Sequence, residues 1–173
     1  VPDLDEKVIN QVTWKIPNGL FLIGARAGDT WNGMTASWVT QVSMEPVLIA
    51  TSVENKALTK RLIDETGSFS INLWPAEDTK VFVKFSRPAE KEGMTLNGRP
   101  VREGKTGAPI FEEAVAWMEV EVRQSHDLGT HTLYVGELVD CGFNGDLEEG
   151  KERDVAWLGN TRMKYGGAAR PAH

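Results

Sequence analysis

The stretch "WNGMTASWVTQVS", Trp31 to Ser43, decides how this chain is read. Thr, Trp and Val suit a pleated surface, so it reads as a strand opened by the turn pair Asn32-Gly33. A strand that only fills a core would carry Val, Ile and Leu. This one sets Thr35, Ser37, Thr40 and Ser43 around Trp38. Small hydroxyl residues beside a large ring leave open whether the strand faces water, a partner or a ligand.

The flanks read as a hairpin-rich β protein. "LFLIGAR" (Leu20 to Arg26) is a buried strand, and "AGDTWNG" turns the chain into the opening stretch. "EPVLIATSV" (Glu45 to Val53) is apolar on both faces and so a central strand. "NKALTKRLIDETG" changes the period: Leu58, Leu62 and Ile63 share a face, with Asn55 as N-cap and Gly67 as C-terminal stop of a helix. "SFSINLW" is a further strand. The spacing predicts helices over Leu4 to Ile16 and over Ala76 to Ser86. Arg87 to Pro109 is polar and bears Gly and Pro. Ala114 to Gln124 alternates, with Ala116, Met118, Val120 and Val122 facing one way and Trp117, Glu119, Glu121 and Arg123 the other. The turn "SHDLGT" leads to the long strand "HTLYVGELVDCGF". Strands outnumber helices, which favours an antiparallel barrel with helices packed outside.

Composition narrows the function classes. At 173 residues the chain is long enough for one domain with a real core, read over 1–173 with a loose tail from about 168 to 173. No apolar run is long enough to cross a bilayer. The acidic start "VPDLDEKVIN" lacks a signal core. Cys141 is the only cysteine, which excludes an internal disulfide and fits a reducing cytoplasm. A net charge of -6 argues against nucleic acid as partner.

Several chemical motifs are absent. There is no GxGxxG, no GxSxG and no HExxH, and the three histidines form no zinc pattern, so no metal site is expected. "GKT" (Gly104 to Thr106) resembles the end of a P-loop, but Arg99 stands where the loop needs its first glycine. "TSVEN" runs straight into the helix after it. Thr51, Ser52, Asn55 and Thr59 therefore sit around a helix N-terminus, where free N–H groups make a phosphate seat; the competing reading is that Ser52 and Asn55 are simple caps.

The ordered set "NGMTASWVTQVSMEPVLIATSVENKALTKRLIDETGSFSINL", "THTLYVGELVD" and "MKYGG" resembles the flavin reductase-like FMN-binding split-barrel family, over roughly Val12 to Gly167. It is similar to the reductase partners of two-component flavin monooxygenases and to flavoredoxin. The resemblance implies a mainly β fold: a six-stranded antiparallel Greek-key split barrel with flanking helices, assembled as a homodimer. It implies FMN as cofactor, with NADH or NADPH as co-substrate and a monooxygenase or other acceptor as partner. Residues matching Asn32, Gly33, Met34, Thr35, Ala36, Ser37 and Trp38 line the isoalloxazine. Those matching Ser52, Val53, Asn55 and Thr59 hold the phosphate and ribityl chain. Lys84 and Phe85 match a segment closing over the flavin. His131 matches a catalytic histidine beside flavin and nicotinamide, and Tyr165 a C-terminal element near the pocket. Many members read Gly-Asp-His where this chain has Gly129-Thr130-His131, so the acidic neighbour of the histidine is missing. The same residues also suit an FMN-bound electron carrier that does not use NAD(P)H, or a split barrel holding haem or a deazaflavin.

Overall fold

Ser37 and Trp38 break the stretch that reads as a single strand. In the computed structural model, which describes residues 3–145 and 154–168, the stretch forms β2 (Thr30–Ala36) and β3 (Val39–Met44). Asn32 and Gly33 are not a turn: they lie inside β2, paired with Ala25 and Gly24 of β1 (Phe21–Ala27). The turn is at Gly28, whose φ of 58° suits a residue without Cβ.

The remaining main strands are β4 (Val47–Glu54), β5 (Ser68–Leu73), β10 (Ala116–Asp127) and β11 (His131–Phe143). They form one antiparallel sheet in the order β2-β1-β5-β10-β11-β4-β3. Its two edge strands are consecutive in the chain. Ala36 and Val39 are three Cα steps apart, so the opposite edges lie within about 11 Å of each other. A seven-stranded sheet with its edges that close must curl into a barrel, and β2 and β3 share no ladder, so the barrel is split at that seam. The count is seven strands rather than six because the decisive stretch supplies two.

Alternation along β1 sends Leu22 and Ile23 to different faces. Ile23 joins Val53, Phe69, Ile71, Val120 and Tyr134, with Leu62 and Ile63 of helix α2 (Leu58–Thr66). Leu22 joins Trp74, Phe82, Phe85, Leu96 and Phe111. Tyr134 ties α2 to β11 by donating to Asp64 at 2.6 Å. Burial, reinforced by that carboxylate, pushes its phenol above the ordinary value, so it donates as a neutral group.

Elsewhere tertiary contacts override local pattern. Helix α1 covers Glu6–Thr13, shorter than its apolar spacing suggests, with Asp5 accepting from the Lys7 amide as N-cap. Only one turn of the helix expected over 76–86 forms: α3, Val81–Lys84. Its first half turns instead, with Asp78 N–H donating to Pro75 O at 3.1 Å, while Ala76 donates to Asp154 and Pro75 bridges to Val155. The polar stretch from Arg87 to Pro109 carries strands that the sequence reading did not assign. It makes a small meander of β6 (Lys91–Glu92), β7 (Thr95–Leu96), β8 (Arg99–Glu103) and β9 (Pro109–Phe111). Strands of two to five residues are too short to show a period. Most of the predicted loose tail, 169–173, lies outside the described residues.

Glu119, which alternation sets on the face opposite Val120, is fully buried, as Val120 is. The loop that resembles a P-loop covers it. The backbone N–H groups of Lys105 and Thr106 and the Thr106 hydroxyl all donate to its carboxylate, at 3.1, 2.9 and 2.6 Å. A Cβ on Gly104 would stand 2.1 Å from Glu119 Oε1, so only glycine fits there. The half-motif does bind an anion, and the anion is the chain's own.

The β10–β11 turn sets the position of His131. Asn55 is not the helix cap: the N-cap position of α2 is Ala57, which has no side-chain cap bond. The Asn55 amide donates to Gly129 O at 2.8 Å and to Asp127 at 3.3 Å, and it accepts from the Thr132 hydroxyl. Asp127 accepts from Gly129 N–H at 2.9 Å. That bond first, then the one from Asn55, holds the Asp127 carboxyl below its ordinary value.

Two outcomes test these contacts. Glu119→Ala removes the shared acceptor of two part-buried N–H groups and a hydroxyl, so it should lower the unfolding free energy by about 1–3 kcal/mol in urea melts, with Glu119→Gln costing less. A lowered carboxylate pKa adds stability that is complete above about pH 4 and fades as pH falls through the folded value. The Gly129 amide signal in NMR should therefore hold from neutral to about pH 4 and collapse below it, a transition that Asp127→Asn abolishes.

Candidate functional site

The seam between β2 and β3 opens into a cavity of about 410 Å³. Its floor is the run Met34, Thr35, Ala36, Ser37 and Trp38. Ser52 and Glu54 at the end of β4 and Thr130-His131 at the start of β11 form one side, and residues 165–168 the other. β2 pairs only with β1, so its second edge faces away from the ladder. Thr35 uses that edge to donate to Phe85 O, and its hydroxyl donates to Phe82 O at 2.8 Å, so β2 is braced from below by α3.

Trp38 and His131 are the aromatic wall, with ring centroids 5.0 Å apart and planes tilted by 55°. Trp38 is fixed through its backbone: its carbonyl accepts from Ser52 N–H at 3.2 Å and from the Thr51 hydroxyl at 2.9 Å. The Thr130 hydroxyl lies 2.8 Å from His131 Nδ1, which leaves Nε2 for the cavity. Which nitrogen carries the proton depends on the tautomer.

The opposite wall is the segment around Gly166-Gly167, both at positive φ (93° and 99°), a conformation that glycine takes without strain. Helix α1 and the residue after it hold this segment in place. Trp14 Nε1 donates to Gly166 O at 3.2 Å, and Ala168 N donates to Asn10 Oδ1 at 2.8 Å. Burial pushes the Tyr165 phenol above its ordinary value, so it faces the cavity as a neutral hydroxyl.

Of the residues singled out in the sequence, Met34, Thr35, Ala36, Ser37, Trp38, Ser52, His131 and Tyr165 converge on this cavity. Asn32, Gly33, Val53, Thr59 and Phe85 do not line it. Val53, Thr59 and Phe85 are fully buried, and Gly33 packs against the rings of Phe85 and Phe111. Asn32 is equally inward: its amide donates to Thr59 Oγ1 at 3.0 Å and its oxygen accepts from Ala89 N–H at 2.8 Å. Asn55 acts at one remove, through the 127–130 turn. Lys84 is exposed at the end of α3, and its carbonyl accepts from Asn97.

The sequence reading missed Glu54. It faces His131 directly across the β4–β11 ladder, and both line the cavity. Residues opposed in this way share a face with Cβ atoms about 5 Å apart. Among the described residues no cluster of His, Cys, Asp and Glu suits a metal ion, and no helix is long and apolar enough to cross a membrane.

The family model for the flavin reductase like domain matches residues 14–166. The ferric-chelate reductase (NAD(P)H) of Archaeoglobus fulgidus is 32% identical over 137 residues, covering 78% of this chain and 81% of the relative. Among solved structures, the FMN-binding protein of Thermus thermophilus aligns with TM-score 0.72 at 26% identity, over 92% of this chain and 90% of that one. BorF, the flavin reductase component of a bacterial two-component tryptophan halogenase, aligns with TM-score 0.69 at 26% identity, over 82% and 89%. A match across nearly the whole chain, on a split barrel whose seam opens into an aromatic-walled cavity, makes this protein a member of the flavin reductase-like family.

Proposed function

We propose that this protein is an NAD(P)H-dependent flavin reductase that binds FMN in the seam cavity. The observation that carries the reading is the cavity itself: the rings of Trp38 and His131, tilted by 55° to each other, beside the run Met34 to Ser37 at the seam. A planar tricyclic ring needs such a slot, and the polar edge of the ring needs backbone donors rather than long side chains. Flavin, once bound, supplies hydride acceptance at N5 from nicotinamide C4.

The chain's own residues have limited tasks. Trp38 and Met34 supply apolar contact area. The β2 edge and Ser37 offer hydrogen bonds to the carbonyl edge of the ring. Ser52, near the uncapped start of α2, lies where a ribityl-phosphate tail would run. His131, held by Thr130 and facing Glu54, closes the slot and orders the second ring at near-attack distance, about 3–3.5 Å. A covalent nucleophile is not needed.

The proposal extends to a homodimer, supported by Val42, Met44 and Phe143, which stand more than half exposed on the sheet. It extends to a cytoplasmic setting, supported by the free, exposed Cys141, and to transfer of reducing power to an oxygenase or other acceptor.

An anaerobic spectrum of the protein with stoichiometric FMN should shift from that of free flavin and bleach on adding NADH or NADPH. An unshifted flavin that passes a filtration membrane sinks the proposal, and bound flavin that bleaches only with dithionite replaces it with an electron carrier. In stopped-flow, His131→Ala should slow bleaching by about tenfold to a hundredfold, in line with loss of one positioned group. Trp38→Ala should instead weaken flavin binding roughly tenfold, as expected for one lost ring contact.

A further inference from the structure

The two ring nitrogens of His131 have different neighbours. Nδ1 stands 2.8 Å from the Thr130 hydroxyl, and Nε2 is left toward the cavity. Backbone bonds hold the pair on both sides. Asn55 N–H donates to Thr130 O at 3.0 Å, the Asn55 side chain donates to Gly129 O at 2.8 Å, and Leu128 N–H donates to His131 O at 2.8 Å. The turn thus fixes where the Thr130 side chain starts and where the ring stands.

A hydroxyl both donates and accepts, whereas a carboxylate only accepts. When the ring is an imidazolium, Nδ1–H donates to Thr130 Oγ1 and Nε2–H points into the cavity. When the ring is neutral, the hydroxyl turns and donates to a bare Nδ1, and the remaining proton stays on Nε2. The opposite neutral tautomer would aim an Nε2 lone pair into the cavity. There it would share a face with the Glu54 carboxylate, opposed to His131 across the β4–β11 ladder, and no lysine or arginine lines the cavity to offset the repulsion.

The other charged and titratable groups around the ring are engaged elsewhere. Asp127, at the end of β10, accepts from Gly129 N–H and from Asn55. His126 Nε2 lies 3.1 Å from Gln124 Oε1, and Lys60 on α2 pairs with Asp64. The Tyr165 phenol on the far wall, raised by burial, stays neutral.

We infer that Thr130 is a positioning residue that keeps the proton of His131 on Nε2, so that the cavity meets a hydrogen-bond donor whether the ring is charged or neutral. The inference rests on the flavin reductase reading and deepens it: the donor suits a second ring that carries an acceptor oxygen, such as a carboxamide.

The first test needs no flavin. In ring 15N NMR at about pH 9, above the range in which histidine changes charge, His131 should carry its proton on Nε2. Thr130→Val keeps the branched shape without the hydroxyl and should raise the population with the proton on Nδ1. Thr130→Ser should restore the native spectrum. Thr130→Asp, which can only accept, should move the proton to Nδ1. Circular dichroism and the Gly129 amide signal check that each variant is folded with its turn intact. A native ring protonated on Nδ1, or equal tautomer populations in the native protein and folded Thr130→Val, overturns the inference.

The second test follows bleaching of FMN-loaded protein by limiting NADH. The ratio of the native rate to the Thr130→Val rate should be near one at about pH 5.5, where the imidazolium supplies Nε2–H unaided. It should rise to about twofold to tenfold by about pH 9, the loss of one hydrogen bond. Thr130→Ser should follow the native profile, and a native-to-Val ratio that does not change with pH sinks the inference. If FMN is bleached and the ring spectra show Nδ1–H, the flavin reductase reading stands and the inference falls. If FMN is not bound at all, that reading fails, and the ring spectra still decide the tautomer.

Discussion

Two residues, Ser37 and Trp38, join the opposite edges of a seven-stranded sheet, and the architecture follows from that constraint. A flat sheet of this width would hold its edges some 28 Å apart, at about 4.7 Å per strand. A link that spans about 11 Å forces the sheet to roll. The link is too bent to continue the ladder, so the roll closes with a seam. Backbone groups along a seam are not paired with a neighbouring strand, and that makes it a natural place for a ligand with hydrogen-bonding edges.

The side chains around the seam are held from several directions. α3 braces β2 through Thr35, whose amide and hydroxyl both bond to carbonyls of that segment. Asn55 holds the 127–130 turn and so sets where Thr130 and His131 stand. Asn10 and Trp14 hold residues 166–168 as the far wall. The site is thus supported on strands, a turn and a segment far along the chain.

The sequence misled in an instructive way at buried polar groups. Glu119 sits on the more polar face of an alternating strand, but its carboxylate is enclosed by the loop 104–106. Asn55 and Asn32 read as ligand-binding residues, but their amides serve the protein's own hydrogen bonds. Short polar side chains have the same composition whether they meet a ligand or a buried main-chain group, because both need the same donors and acceptors. Only the positions of their neighbours separate the two uses.

What the sequence determined by itself was the class of fold, the strands of the sheet and most of the cavity floor. Period-two alternation, the helix period at Leu58, Leu62 and Ile63, and the glycine stop at Gly67 are local signals, and the chain carries them openly. The unbroken run from Met34 to Trp38 reaches the site as one piece, so it could be named without knowing the fold. The tertiary structure decided what no local signal encodes. It broke one strand into two at the seam, and it tied 74–76 to 154–156 and turned the chain at 75–78 where a helix was expected. It also set Glu54 opposite His131 across a ladder of residues 77 positions apart. Such pairings are fixed by strand register, and register is settled when the buried faces of the whole sheet are satisfied together.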